Sequence, residues 1–271
     1  MGHLWSLIKM KMAIIGCGKM ATAMVLGMPK DKLEFFGYNP TFKKAEDLMA
    51  KLGGTAVSNL DDIPACDLYL IGAKPQHLGV LKKTFSPPKD ATLISLMAGI
   101  TIDSLKEGFS LERVIRLMPN TPCLVGVGVV GLIASQEVKD ETLSFVTGLL
   151  ANVGLVQILK DEELMNVITA FTGSGPAYIF EVANILSKLM SEQGFEKEVA
   201  QKLVEQMILG AATLMSKASE SPQELRNDVT SKGGTTEAAL NILKAKNLEG
   251  MIESAIKANI TRAQELAGEN K

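Results

Sequence analysis

The chain has 271 residues, enough for one large or two ordinary domains. Its 46% hydrophobic and 21% charged residues are typical of a globular protein, and a formal charge of −2 argues against nucleic acid as a partner. Three widely spaced cysteines and two histidines argue against a disulfide framework and a zinc site. We therefore expect no metal and a reducing, cytoplasmic location.

Neither a secretory signal nor a membrane span is expected. Residues 1–10 are too short and too weakly apolar for a signal peptide. The longest apolar run, residues 123–134, contains three glycines and is shorter than the ~20 residues that a membrane helix needs.

The first motif separates an apolar run from a helical pattern. Residues 12–15 are predicted to form a buried strand, and a helix is predicted from Lys19 onward. Between them Gly16, Gly18 and Ala21 form the pattern G-x-G-x-x-A. The first glycine permits a turn, the second lets the backbone approach a pyrophosphate, and the alanine lets the helix pack on the strand. Because the pattern opens a helix whose N–H groups favour an anion, it predicts a dinucleotide site.

The next strand, predicted at residues 33–38, ends at Asn39-Pro40-Thr41, where such folds bind the adenosine ribose. An NAD site favours Asp or Glu at this point, because a carboxylate accepts from the 2′-hydroxyl. Here neutral Asn39 and Thr41 are followed by Lys43 and Lys44. The absence of a carboxylate favours NADP over NAD, and the alternative is that the lysines are simply the solvated face of the next helix.

Further strands alternate with helical patterns, which predicts a parallel, doubly wound sheet. Ala73-Lys74-Pro75 follows the fourth strand and Met97-Ala98-Gly99 follows the fifth. Ligands of open sheets bind beyond the carboxyl ends of strands, so both segments are expected beside the cofactor. A proline that simply ends a strand explains the first segment equally well. The remaining strands are predicted at residues 55–57, 67–72, 91–96, 113–118, 126–134 and 155–158, with helices at 41–52 and 138–150.

Beyond Lys160 the pattern becomes helical, with no convincing strand. We therefore predict a dinucleotide-binding domain at residues 11–160 and an all-helical domain at residues 161–271. The apolar stripes and the small residues 210–212 suggest that this second domain dimerises. Its helices are predicted at residues 162–170, 176–193, 197–218, 222–229, 235–245 and 248–267.

Two polar segments, residues 172–176 and 230–236, precede predicted helices in this half. Hydroxyls and free N–H groups at a helix start favour a carboxylate ligand. An ordinary capped helix start explains either segment alone.

Taken together, these motifs resemble the pyrroline-5-carboxylate reductase family over residues 12–266. The most specific segment is residues 228–240, DVTSKGGTTEAAL. Ala73-Lys74-Pro75, Arg116 with the segment PNTP at 119–122, and GSGPAY at 173–178 occur in the family's order. The departures are Lys232, where the family often has proline, and the order of Asn227-Asp228.

The resemblance implies a Rossmann-type doubly wound sheet followed by an all-helical dimerisation domain that interlocks with a second subunit, as a homodimer or a larger ring of dimers. It also implies hydride transfer to the C=N bond of 1-pyrroline-5-carboxylate, which gives L-proline in the last step of proline biosynthesis. We expect NADP(H) as the preferred cofactor, with NAD(H) as the alternative. If the domains interlock, the helix start at Ser231 can belong to the partner chain.

The resemblance also assigns roles residue by residue. Substrate binding is assigned to Glu162, Ser231, Gly234, Thr235 and Thr236. Contacts with the cofactor's pyrophosphate and adenosine are assigned to Gly16, Cys17, Gly18, Lys19, Met20, Asn39, Pro40, Thr41 and Asn59. The nicotinamide side is assigned to Ala73, Lys74, Pro75, Leu96, Met97 and Ala98.

A cyclic imine is basic enough to accept hydride without a strong side-chain acid, so the protein's main task is to position the reactants. We expect the substrate carboxylate on the N–H groups around residues 233–235 and the Thr236 hydroxyl, as the catalytic group, on the ring nitrogen. One alternative is a β-hydroxyacid dehydrogenase that uses a helix lysine such as Lys188 or Lys202 as general acid. Another is a cofactor-binding regulator without catalysis.

Overall fold

A computed structural model describes residues 9–269 of the chain. These residues divide into two compact units, one containing residues up to 174 and from 259 onward, and the other containing residues 175–258. The signal-peptide prediction concerns residues 1–10, of which 1–8 lie outside the described residues. None of the helices within residues 9–269 is both long and apolar enough to cross a membrane.

The first unit is built on one eight-stranded sheet. Its strands are β1 (Met10–Ile15), β2 (Leu33–Tyr38), β3 (Thr55–Val57), β4 (Leu68–Ile71), β5 (Thr92–Ser95), β6 (Val114–Pro119), β7 (Gly128–Ala134) and β8 (Gly154–Ile158). They are ordered β3-β2-β1-β4-β5-β6-β7-β8. The order reverses at β1, between β2 and β4, which is where open sheets bind nucleotides.

The predicted parallel, doubly wound sheet is confirmed, with β7 as its exception. Strands β1 to β6 are parallel, but β7 pairs with β6 in the antiparallel direction, and β8 then runs parallel to β7. Only residues 120–127 connect β6 to β7. This connection is too short for the crossover that a parallel neighbour needs.

Two hydrophobic clusters cover the two faces of this sheet. Alternate residues of β1 point to opposite faces, so that Met12 and Ile14 join one cluster while Ala13 and Ile15 join the other. Because residues 12–15 of β1 are buried on both faces, they form a continuous apolar run, as expected for a central parallel strand. The helices that cover the faces are α1 (Lys19–Leu26), α2 (Phe42–Leu52), α3 (Leu78–Thr84), α4 (Ile102–Phe109) and α5 (Asp140–Leu150).

The sequence interpretation did not include α3 and α4, which have seven and eight residues. Helices this short give little periodic signal. The local signal for α4 is its N-cap, because the Thr101 side chain accepts a hydrogen bond from the Ser104 N–H at 3.2 Å.

The predicted helix at 162–170 is shorter and less regular in the structure. An α-helical turn, α6 (Leu164–Ile168), continues into a π-helical segment at Thr169–Gly173. π-Helical segments are rare in proteins overall, and those that occur are often found at functional sites.

The second unit is helical, as predicted. It contains α7 (Gly175–Glu192), α8 (Lys197–Lys217), α9 (Pro222–Asp228), α10 (Thr235–Ala245) and the first half of α11 (Leu248–Glu269). Among the described residues of this unit, Ala200 and Val204 are the buried hydrophobic residues. Many large hydrophobic side chains of the unit are exposed.

Candidate active site

The phosphate loop connects β1 to α1 and contains two glycines with different roles. Gly16 has φ +93°, and a Cβ there would lie 2.7 Å from the backbone nitrogen of Ala73. At Gly18 the nearest atom to an added Cβ is the Gly72 oxygen, at 3.8 Å. The chain itself therefore requires glycine at Gly16 but leaves room for a side chain at Gly18. Gly18 is also the N-cap of α1 and provides no side-chain cap, so this space and the helix N–H groups fit a pyrophosphate.

Asn39 links this loop to the end of β2. Its Oδ1 accepts a hydrogen bond from the Cys17 N–H at 3.1 Å, and its Nδ2 donates to the Thr41 carbonyl at 3.1 Å. The Gly16 N–H donates to the Tyr38 carbonyl at 2.8 Å. The sequence predicted Asn39 at the cofactor, but not this use of its carboxamide within the protein.

The Cys17 side chain is buried beneath the loop. Its Sγ lies 3.6 Å from the Tyr38 carbonyl oxygen, and burial raises the pKa of the thiol to about 11. The thiol is therefore protonated at neutral pH and is not a nucleophile.

The two lysines after Thr41 differ in their environment. Lys43 pairs with Glu46 at 2.8 Å and with Asp47 at 3.1 Å, both on the exposed face of α2. Lys44 is exposed and has no ion pair among those found in residues 9–269. Thr41 is the N-cap of α2 without a side-chain hydrogen bond, so Lys44 and this helix start are the groups nearby that suit a 2′-phosphate.

The segments predicted on the nicotinamide side follow adjacent strands. Residues 73–75 follow β4 and residues 96–98 follow β5, beside β1 and its phosphate loop. The Gly72 N–H donates to the Ile15 carbonyl at 2.8 Å, and the Leu96 N–H donates to the Ile71 carbonyl at 3.0 Å. The sheet therefore brings these segments to one edge. Met97 is buried in the core, whereas Ala98 and Lys74 are exposed.

The remaining predicted cofactor residues lie at the same edge or farther along it. Lys19 is exposed and Met20 is half-buried at the start of α1, and Pro40 and Thr41 are exposed after β2. Asn59 follows β3, the outermost strand, and its Nδ2 donates to Asp62 Oδ2 at 2.9 Å.

Glu162 forms an ion pair in the first unit that the sequence did not predict. Its Oε1 accepts from the Arg116 guanidinium and from the Ile102 N–H, the latter at 2.8 Å. Arg116 lies on β6 with 6% of its side chain exposed, and the Glu162 side chain is 30% exposed.

Asn120, at the end of β6, is also held by several partners. Its Oδ1 accepts from the Val129 N–H at 2.9 Å, and its Nδ2 donates to the Thr172 carbonyl at 3.0 Å. The residue is 6% exposed and connects β6, β7 and the π-helical segment. In the sequence, the segment PNTP at residues 119–122 was the only indication that Asn120 has a specific role.

In the second unit, residues 230–236 form a turn that ends at the start of α10. Gly233 has φ +74°, and its N–H donates to Glu237 Oε2 at 2.7 Å. Of the N–H groups expected to bind the carboxylate, at residues 233–235, that of Gly233 is occupied by Glu237 and that of Gly234 donates to the Ser231 carbonyl at 3.0 Å, which leaves that of Thr235. Gly234 is the N-cap and provides no side chain, and an added Cβ there would lie 2.5 Å from Ser231 Oγ.

No group of three or more His, Cys, Asp or Glu side chains in residues 9–269 is arranged to hold a metal ion.

Two family models match the chain. The model described as pyrroline-5-carboxylate reductase dimerisation matches residues 162–266, and that described as NADP oxidoreductase, coenzyme F420-dependent, matches residues 11–99. A curated pyrroline-5-carboxylate reductase of Haemophilus influenzae is 35% identical and aligns over 94% of this chain and 96% of its own.

Solved structures give the same result. The chain is similar to a pyrroline-5-carboxylate reductase from Coxiella burnetii with a TM-score of 0.85 and 31% identity, over 96% of this chain and 99% of the other. It is similar to a Plasmodium falciparum pyrroline carboxylate reductase with NADP bound with a TM-score of 0.84 and 25% identity, over 95% and 98% of the two chains.

Proposed function

Because the chain belongs to the pyrroline-5-carboxylate reductase family, we infer that it transfers hydride from NAD(P)H to the C=N bond of 1-pyrroline-5-carboxylate and forms L-proline. The observation that carries this conclusion is the match to a curated enzyme of that name over 94% of this chain and 96% of the relative. The reaction is the last step of proline biosynthesis.

The cofactor is proposed to lie along the carboxyl edge of β2, β1, β4 and β5. The phosphate loop at residues 16–20 would hold its pyrophosphate, since Gly18 leaves free space at the start of α1. Residues 39–41 and Asn59 would bind the adenosine end, while residues 73–75 and 96–98 would line the nicotinamide. When bound, the reduced nicotinamide supplies the hydride.

NADP(H) is proposed as the preferred cofactor. The end of β2 carries Asn39 and Thr41 instead of a carboxylate, and the N-terminus of α2 follows directly. The NADP bound to the Plasmodium falciparum relative supports this preference.

Replacing Asn39 by Asp tests that preference. Asp keeps an oxygen for the Cys17 N–H but cannot donate to the Thr41 carbonyl, and it places a negative charge beside the proposed 2′-phosphate. We expect kcat/KM for NADPH to fall about tenfold or more relative to that for NADH. Gln136→Glu, at an exposed position after the antiparallel strand β7 and away from the carboxyl edge of β2, serves as a control for added charge. An unchanged ratio for Asn39→Asp would contradict the proposed position of the 2′-phosphate.

The substrate is proposed to bind at the start of α10. Its carboxylate would accept from the Thr235 N–H, with Ser231, Gly234 and Thr236 as further substrate-binding residues. The Thr236 hydroxyl, the proposed catalytic group, would hydrogen-bond the ring nitrogen. Glu162 is proposed as a further substrate-binding residue.

The proposed assembly is a homodimer or a ring of dimers, in the cytoplasm and with no nucleic-acid partner. The dimerisation model at residues 162–266 supports self-association, with residues 11–160 and 161–271 as the two functional domains. The net charge of −2 supports the expectation of no nucleic-acid partner. The three free, buried cysteines support a cytoplasmic location.

The decisive experiment measures NADPH and NADH oxidation side by side, with pyrroline-5-carboxylate as acceptor. We expect rapid oxidation and L-proline as the product. Activity on a hydroxy acid but none on the cyclic imine would favour the β-hydroxyacid dehydrogenase alternative. Tight NADPH binding without oxidation would favour a regulator.

A further inference from the structure

The ion pair between Arg116 and Glu162 leaves one carboxylate oxygen free. Both hydrogen bonds to this carboxylate, from the Arg116 guanidinium and from the Ile102 N–H, end on Oε1. Within residues 9–269, Oε2 of Glu162 has no hydrogen-bond partner. A carboxylate held through one oxygen presents the other as a fixed, acceptor-only group.

The pair lies directly beside the loop that is proposed to line the nicotinamide. Arg116 on β6 is paired in register with Ser95, the last residue of β5, and residues 96–98 follow immediately. Ile102, which donates to Glu162, is the first residue of α4. Arg116 is thus paired with the residue before the segment 96–101, and Glu162 is hydrogen-bonded to the residue after it.

A buried ion pair is not needed to stabilise such a position. Apolar side chains of similar size often serve as well or better, because the desolvation of two charges offsets much of their attraction. Arg116 is nearly fully buried, whereas Glu162 is partly exposed. The buried Arg116 therefore holds a carboxylate that is partly open to solvent. Such a carboxylate is suited to bind a cationic ligand.

We propose that Arg116 is a positioning residue for the reaction: it fixes Glu162 so that Oε2 faces the positive charge on the substrate's ring nitrogen. This inference rests on the proposed function. The ring nitrogen is cationic in the protonated imine and again in the product amine, so one fixed carboxylate oxygen suits both. Arg116 does not touch the substrate and acts through Glu162.

The test separates positioning from packing. Arg116→Met leaves a partly buried carboxylate without its partner and can reduce stability by itself. The double variant Arg116→Met/Glu162→Gln removes both charges together, so we expect its melting temperature to recover toward that of the wild type. Arg116→Lys keeps the charge and is expected to retain more activity than Arg116→Met.

The expected result for the double variant is a fall of at least tenfold in kcat/KM for pyrroline-5-carboxylate, with the Kd for NADPH unchanged within twofold. A folded double variant with wild-type kcat/KM for the imine would overturn the proposal, because the pair would then be only structural. Equal losses for imine and NADPH binding would also overturn it. A wild-type protein that does not reduce the imine would instead refute the proposed function, and this inference with it.

Discussion

Thr236, the proposed catalytic residue, is the second residue of α10, and Ser231 lies in the turn before it. In residues 9–269 neither hydroxyl donates or accepts an intramolecular hydrogen bond. Both are therefore available to a ligand. Their proposed roles differ. Thr236 would hydrogen-bond the ring nitrogen during the reaction, whereas Ser231 would contribute only to substrate binding.

Replacing Thr236 by Ala should lower kcat by about 10- to 100-fold, the value of one hydrogen bond to a charged group. The KM for NADPH should stay nearly constant. Ser231→Ala, the matched removal of a nearby hydroxyl, should mainly raise the KM for the imine. Steady-state kinetics with both substrates varied will measure these effects, and an unchanged kcat in Thr236→Ala would refute the catalytic role.

At this scale the sequence predicted which residues to examine better than it predicted their partners. The glycine spacing indicated residues 16–20 as candidate cofactor residues, and the end of a predicted strand indicated residues 39–41. The contact of Asn39 with Cys17, and that of Glu162 with Arg116, join residues 22 and 46 positions apart. No local pattern encodes such pairs, because they depend on how the sheet is assembled.

At the scale of elements, the phosphate loop gives a prediction from its two glycines. Gly16→Ala must adopt a left-handed conformation and approach the Ala73 backbone, so we expect a loss of about 1–3 kcal/mol or more in the free energy of unfolding. Gly18→Ala has φ −77° and meets no atom closer than 3.8 Å. Its stability should change by less than about 0.5 kcal/mol.

Gly18→Ala should nevertheless raise the KM for NADPH about tenfold or more, since its methyl group would occupy the proposed pyrophosphate space. Denaturant titration of both apo variants and NADPH binding by Gly18→Ala provide the measurements. Normal NADPH affinity in Gly18→Ala would show that the pyrophosphate lies elsewhere.

The elements themselves were largely predictable where the hydrophobic pattern is long. The helix at Thr235–Ala245 and the strand at Leu33–Tyr38 match their predicted bounds. The sequence interpretation did not include α3 and α4, which are too short for periodicity, and it did not foresee the antiparallel direction of β7. Strand direction depends on the length of the connection and on which neighbour is free, and neither is visible in the strand's own residues.

At the scale of the whole molecule, the second unit has more apolar surface than a monomer needs. Ile179, Phe180, Leu203, Met207 and Leu214 are each between 45% and 63% exposed. Exposed apolar surface of this extent marks a protein interface. The match of residues 162–266 to a dimerisation model agrees with this interpretation.

Replacing Met207 by Lys should therefore weaken self-association, because it would bury a charge in the contact. Glu205→Lys, on the opposite side of α8, is the control, since within residues 9–269 Glu205 bonds only Gln201, on the same helix. Size-exclusion chromatography with light scattering at several protein concentrations will measure the mass. If Met207→Lys assembles as the wild type does, this stripe is not the interface.

The double hydrogen bond of Asn39 has a consequence for how cofactor preference can change. The same carboxamide that replaces an NAD-type carboxylate also ties Cys17 to Thr41. Asp at this position would keep the bond from the Cys17 N–H but lose the bond to the Thr41 carbonyl, so it would loosen residues 39–41 at the proposed adenosine site. If NADP(H) is the cofactor, as proposed, a change to NAD(H) at this position would therefore call for a second substitution that restores a donor to the Thr41 carbonyl.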